Sequence, residues 1–389
     1  MVIKMIEKIK ALAKDYELEL IRIRRVLHMV PECGFDLEKT SALVFNKLTE
    51  FGYTPRKCGK SGVVAEVGCG KRCILLRADM DGLKMMEEAE ISFKSTNGNM
   101  HSCGHDMHTA MLLGCARILK LIENELDIKV RLMFQPAEEI LEGAKDMIDD
   151  NVLEDVCAAV MIHVSSGTNL KSGSIIIPNS GIAAPSCDYF EIEVLGSGGH
   201  SGMPKQGNNP IIPAAEIIQG LYEINEDAII TVGSLNAGVI ANVIPSVATI
   251  RGTIRCYSAD SRVKEKIKLN DIILSASKKY NVEASLKYTN SCPPLFIDED
   301  IKKKTHQTLM RHFGDSIINI SDEREKESGS EDFAYVSNYV PTILLSLSAG
   351  SKEEGYLYPL HNPKVMFNDD VIKIGSILYS IIAYELLKQ

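Results

Sequence analysis

The feature that most constrains this fold is a change of rhythm along the chain. Up to about residue 165, short apolar runs alternate with helical patterns. Apolar residues recur at helical spacing from Ile3 to Leu27 and from Thr40 to Phe51, with Pro31 and Gly52 closing the two stretches. Strand-length runs lie at Val63–Val67, Ile74–Ala78, Val130–Phe134 and Ala158–His163. The helical patterns between them cover about Thr109–Glu123 and about Leu141–Asp150. This alternation predicts an α/β domain, a mostly parallel sheet flanked by helices.

Near residue 185 the rhythm changes. Strands are expected at Tyr189–Leu195, Ile229–Leu235, Val247–Tyr257 and Val282–Tyr288, and helices at Pro210–Leu221 and Asp260–Tyr280. That β-α-β-β-α-β order fits a smaller ferredoxin-like α+β module. After Pro293-Pro294 the first style resumes, with helices at Glu299–Phe313 and Asp370–Leu387 and a strand at Thr342–Leu347. The expectation is a large domain from residues 1–184 and 295–389, interrupted by a module over 185–294. The 389 residues also exceed the roughly 250–300 at which single cores stop growing.

Composition narrows the function. The net charge is −9 and no basic block occurs, so a nucleic-acid partner is not expected. No apolar run approaches the roughly 20 residues of a membrane span. The stretch Met1–Pro31 carries charges throughout, unlike the apolar centre of an export signal. Ten scattered cysteines with no CxxC pair read as reduced thiols, and the expected compartment is the cytoplasm.

The reactive side chains gather in a few places. Met100–His108 holds three of the nine histidines, with Cys103 and Asp106 among them. Cys103 and His105 are two apart, so an extended chain points both to one side, and Gly104 between them permits a tight turn. Thiolate and imidazole together suit zinc or another first-row ion; the plainer reading is a histidine-rich surface loop. Glu138-Glu139 follows the strand ending near Gln135, and strand ends are where α/β sheets build sites. One carboxylate there can hold a metal while the other takes a proton from water. A solvated charged turn is the commoner fate of such a pair. His163 ends another strand, and His361 sits in a loop between Pro359 and Pro363. His200 lies in the glycine-rich stretch Gly196–Gly202. Asn242 and Arg255 flank a strand of the inserted module, where Arg255 could hold a carboxylate in bidentate fashion.

Together these segments resemble the M20 family of metallopeptidases and aminoacylases. The resembling branch contains indole-acetyl-amino-acid hydrolases, hippurate hydrolases and N-acetyl-diaminopimelate deacetylases. The resemblance runs nearly end to end. It rests on Arg24–Glu32, Arg77–Gly82, Met100–Thr109, Gln135–Glu139, Gly199-His200, Asn242–Pro245, Gly252–Arg255, Ser330–Phe333 and Leu360-His361. It implies that Cys103, His105, Glu139, His163 and His361 hold two divalent ions (zinc, manganese, cobalt or nickel), with Cys103 as the bridge. It implies Glu138 as general base, and His200 as a histidine reaching into a partner's site. Asn242 and Arg255 are then placed near the substrate. The inserted module would serve as dimerisation domain and lid, in a homodimer or a tetramer. Lys84 and the stretch Ser201–Lys205 depart from the branch's usual residues, which leaves substrate choice open.

The function so implied is deacylation of small N-acyl amino acids by metal-activated water. Asp79, Asp81 and Asp106 are expected to orient the histidine ligands. Three rivals stand beside it: a di- or carboxypeptidase on the same scaffold, a cysteine hydrolase using Cys103 as nucleophile, and a metal-dependent binding protein without activity.

Overall fold

The computed structural model describes residues 2–223, 228–319 and 329–386. The chain forms two compact units. One comprises Met1–Ala183, Phe296–Glu325 and Tyr335–Gln389, and the other Ala184–Leu295 and Lys326–Ala334.

The larger unit is built on an eight-stranded sheet. Its strand order is Arg56–Cys58, Gly62–Val67, Lys129–Gln135, Cys73–Asp79, Val156–Ser165, Thr342–Ser348, Ile175–Ile177 and Ile317–Asn319. The four central strands, Lys129–Gln135 through Thr342–Ser348, run parallel. Antiparallel pairs flank them on both sides, so the sheet is mixed, with the expected parallel strands at its centre. The cause on one flank is local: Gly59, at φ 62°, closes a tight hairpin between Arg56–Cys58 and Gly62–Val67. Central parallel strands are covered on both faces and read as continuous apolar runs. Cys73–Asp79 is buried at every position.

Three helices position the site. The helix His105–Leu121 packs against Val2–Met29 and Val371–Glu385. All its residues are buried except Arg117, Lys120 and Leu121. Each fully buried Leu, Ile or Met contributes about 1.5–3 kcal/mol. Gly375 lets two helices meet closely, since a Cβ there would stand 1.9 Å from the Met111 sulfur. Tyr379 on Val371–Glu385 ties two central strands: its hydroxyl donates to the Arg77 carbonyl (2.6 Å) and accepts from the Ile162 amide (2.8 Å).

Beside the reactive residues, two helix starts differ from the sequence expectation. The helix expected from Thr109 begins at His105, because Gly104 adopts a left-handed conformation at φ 83° and starts it early. The helix expected from Leu141 begins at Gly143, because Ala137 (φ 56°) and Leu141 (φ 58°) turn the chain first.

The smaller unit has an antiparallel sheet in the order Ala228–Ala237, Val247–Cys256, Ser186–Leu195, Glu283–Cys292. Ser186–Leu195 alternates buried and outward residues over its second half, as a one-sided sheet requires. The helices Ile211–Glu223 and Ala259–Tyr280 close a core that includes Ile192, Ile217, Ile250, Leu269 and Ile273. The Ser258 hydroxyl caps the second helix by accepting from the Ser261 amide (3.0 Å), and left-handed Asn281 ends it. A short ribbon pairs Gly199–His200 with Val243–Ile244. Among the described residues, no helix is long and apolar enough to cross a membrane.

Candidate metal centre

The site lies at the carboxyl ends of the central parallel strands, where such sheets place their ligands. Cys73–Asp79 ends in Asp79 and leads to Asp81. Lys129–Gln135 leads into Glu138 and Glu139, and Val156–Ser165 carries His163. Cys103 precedes Gly104, and His105 opens the helix behind it. His361 arrives on a loop whose amide donates to the Ser102 carbonyl (3.0 Å), one residue from Cys103. His361 is left-handed at φ 61°, a backbone state uncommon for a non-glycine residue.

These side chains converge. The Cys103 sulfur lies 3.5 Å from His163 Nε2. Glu139 Oε1 lies 3.5 Å from His361 Nε2 and 3.9 Å from His105 Nε2. Glu138 Oε2 is 3.9 Å from the same His105 nitrogen. Three overlapping sets place one donor atom per residue within 4.8 Å: Cys103 with His105 and His163, Cys103 with Glu139 and His361, and His105 with Glu138 and Glu139. The sequence put Cys103 and His105 on one side of an extended chain. The chain is instead bent at Gly104, and the two still meet.

The surroundings fix the donors. Asp81 accepts the Glu138 amide on one oxygen (3.1 Å) and the Glu139 amide on the other (3.2 Å), which sets the Glu-Glu turn. Its Oδ1 also stands 3.4 Å from His105 Nδ1. Asp79 Oδ2 is 3.6 Å from His105 Nε2 and takes an ion pair from fully buried Arg77 (2.7 Å). The other oxygen of Asp79 holds His108 Nδ1, while His108 Nε2 accepts the Val164 amide (2.8 Å). His163 Nδ1 faces the Val164 carbonyl (2.7 Å), which turns Nε2 toward Cys103. Asp106 makes no direct bond to a metal-ligand candidate. It faces the other way and pairs with Arg24 (2.7 Å) and His28 (2.8 Å).

The donor set fits divalent metal ions. His105 Nε2 and Glu139 Oε1 are buried and make no hydrogen bond within the chain. Buried polar atoms ordinarily find partners, so these two atoms, crowded by thiol and carboxylates, are suited to a cation. The charge balance agrees. Burial alone would raise the Cys103 thiol, but the charges of His163 and His105 bring it down to about 6. The Cys103 sulfur and the Glu139 carboxylate beside it lift His361 to about 10. Burial opposes a charged His105, yet Asp79 and Cys103 hold it well above its usual value. Burial likewise opposes the Glu139 carboxylate, which His361 and His105 keep below its ordinary range. Thiolate and carboxylate are thus offset by imidazole protons, which a bound divalent ion replaces.

The remaining sequence candidates lie in the smaller unit. His200 is exposed and its Nδ1 accepts the Gly202 amide (3.0 Å). Asn242 is exposed on the facing arm of the ribbon, its carbonyl accepting the Ser201 amide (3.2 Å). Arg255 is half-buried and donates to the Ser330 hydroxyl (2.7 Å). Sequence reasoning overlooked Arg24, His28, Glu87 and Asp369, which form a buried charged network described below. The signal was there in part: Arg24 and His28 are four apart on a predicted helix and therefore share a face. It also overlooked His101, buried with neither ring nitrogen bonded and pushed down to about 4 by that burial.

Residues 75–384 match the model of peptidase family M20/M25/M40. IAA-amino acid hydrolase ILR1-like 4 of Arabidopsis thaliana is 32% identical over 375 residues, covering 94% of this chain and 84% of that protein. Thermostable carboxypeptidase 2 of Saccharolobus solfataricus is 32% identical over 394 residues, covering 97% and 98%. The crystal structure of the Bacillus subtilis YXEP protein, described as a dinuclear metal binding peptidase from M20 family, matches with a TM-score of 0.79. It is 28% identical, with 95% of this chain and 98% of that chain covered.

Proposed function

Because the chain belongs to peptidase family M20/M25/M40 and is an amide-bond hydrolase, we propose that it deacylates small N-acyl amino acids. The observation that carries this reading is the overlapping donor sets formed by Cys103, His105, Glu139, His163 and His361, with the buried carboxylate of Glu138 beside His105 and Glu139. A relative of similar length is named for hydrolysing an IAA-amino acid, which is an N-acyl amino acid.

In this reading the five converging residues hold two divalent ions. Once bound, such ions polarise the amide carbonyl and lower the pKa of water towards neutrality. Glu138 accepts the proton of the attacking water as its oxygen bonds to the carbonyl carbon. Glu138 then returns that proton to the amide nitrogen as the C–N bond breaks, leaving a carboxylate and a free amine. The Gly202 amide donates to His200 Nδ1, so the neutral ring carries its proton on Nε2. His200 Nε2 is thus a donor suited to the developing oxyanion. Arg255 and Asn242 bind the substrate carboxylate and carbonyl. The smaller unit acts as lid and as the contact between protomers of a cytoplasmic homodimer or tetramer. Lys84 and Lys205 are exposed and bear on substrate choice.

The test is hydrolysis of N-acetyl, N-benzoyl and indole-acetyl amino acids beside plain dipeptides, before EDTA, after it, and with Mn²⁺ or Zn²⁺ restored. Metal-restored cleavage of an N-acyl amino acid supports the reading. Turnover of dipeptides or peptide C-termini alone favours the carboxypeptidase alternative, for which the Saccharolobus solfataricus relative speaks. Turnover that survives EDTA but not iodoacetamide would move the chemistry to Cys103 as nucleophile.

A further inference from the structure

Arg24 is 1% exposed and lies on the helix Val2–Met29. Its guanidinium reaches three groups. Nε faces Asp106 Oδ2 (2.7 Å), Nη1 donates to Asp369 Oδ1 (3.1 Å), and Nη2 stands 3.3 Å from His28 Nδ1. Asp106 directly follows His105 in the first turn of its helix. Asp369 ends the loop that carries His361, just before the helix Val371–Glu385. His28 adds a third strand to the network. Its Nδ1 meets Asp106 Oδ2 (2.8 Å) and its Nε2 meets Glu87 Oε1 (3.0 Å). Glu87 also accepts the Ser95 amide (2.6 Å). Arg25 binds the second oxygen of Asp369 (2.8 Å), and the Phe93 ring packs 5.0 Å from the Arg24 guanidinium and 4.7 Å from that of Arg25.

A buried guanidinium with carboxylates on two separate chain segments fixes the distance between those segments. The Asp106 arm is a close ion pair and the Asp369 arm a hydrogen bond, and a planar fork reaches both at once where an ammonium presents a single point of charge. The segments here end next to His105 and lead away from His361. Both histidines approach Glu139 Oε1, His105 Nε2 at 3.9 Å and His361 Nε2 at 3.5 Å.

We propose that Arg24 is a positioning residue, holding the His105 helix through Asp106 and the His361 loop through Asp369 so that each imidazole keeps its place in the two donor sets that share Cys103. This rests on the metal-site reading above. A second-sphere change of this kind typically lowers metal affinity 10–100-fold.

The test uses the full chain stripped of metal and titrated with Mn²⁺ by calorimetry, with melting of the stripped proteins followed in parallel. Wild type is compared with Arg24→Lys, which keeps the charge and loses the fork, and with Asp369→Ala, which removes the carboxylate that Arg24 and Arg25 share on the loop. The expected result is a Kd for Mn²⁺ raised roughly tenfold in both variants, in samples that remain folded at the titration temperature. Variants that melt lower but bind Mn²⁺ with wild-type affinity would show Arg24 to be purely structural and overturn the proposal. Wild type that binds no divalent ion would overturn the metal reading itself, and this inference with it.

Discussion

The Cys103 sulfur sits 3.5 Å from His163 Nε2, and with the charges of His163 and His105 beside it the thiol falls to about 6. A thiolate at neutral pH is both a metal ligand and a nucleophile, so alkylation can report on it. Without metal, Cys103 is expected to react with iodoacetamide at a rate that rises with pH and is half-maximal near about 6, well below an ordinary thiol. Saturating Zn²⁺ or Mn²⁺ is expected to protect it. Peptide mapping separates Cys103 from Cys69 and Cys157, which are exposed. Equal alkylation with and without metal would remove Cys103 from the ligand set.

Glu138 and Glu139 are neighbours with different tasks in the proposed mechanism, and substitution separates them. Glu138→Gln keeps the shape and loses the base. It is expected to bind the same number of metal ions while kcat falls about 10²–10⁴-fold. Glu139→Gln is expected to lose metal instead. Metal content by elemental analysis, beside kcat on the same samples, tests the division. A Glu138→Gln enzyme with near-wild-type kcat would mean the base is elsewhere.

Asp81 sets the turn that presents both glutamates. Asparagine can accept only one of the two amide bonds at 3.1 and 3.2 Å, and turns an NH₂ toward the other. Leaving a buried amide without its partner costs about 1–3 kcal/mol. Asp81→Asn is therefore expected to lower the melting temperature of the stripped protein by several degrees, and to weaken metal binding because Glu139 moves. Unchanged melting and unchanged metal affinity together would show the turn to be set elsewhere.

The strand–helix alternation was legible because apolar periodicity is a local signal. The candidate site residues were legible because Cys103, His105, Glu138-Glu139 and His163 fall at strand ends or directly beside glycine. What was not legible came from backbone states at single glycines and from contacts distant in sequence. The direction of the flanking strands depends on the hairpin at Gly59, and the early helix start depends on Gly104 adopting φ 83°. Asp106 was expected to serve the histidine ligands; its partners, Arg24 and His28, lie 82 and 78 residues before it, and no local pattern announces them. His361 was read from its prolines and the resemblance, but its left-handed backbone and its bond to Ser102 belong to the folded chain alone.

His28 makes the pH dependence of stability testable. Burial and Arg24 oppose its charge, but Asp106 and Glu87, one at each ring nitrogen, raise it above the ordinary histidine value. Both nitrogens can donate to carboxylates only in the imidazolium form. A group raised in the folded state contributes stability that is fully present below its unfolded pKa of about 6.5, and that is lost as pH rises through the folded value. Denaturant unfolding of the metal-stripped protein is therefore expected to show stability declining as pH is raised from 6 through the alkaline side of about 6.5. His28→Gln has no proton to lose. It is expected to be less stable than wild type at pH 6, with the gap narrowing as pH rises. Working without metal keeps ligand protonation at the site from entering through metal affinity. A His28→Gln curve parallel to wild type across this range would show that His28 does not change its charge there, and that the two carboxylates share their protons some other way.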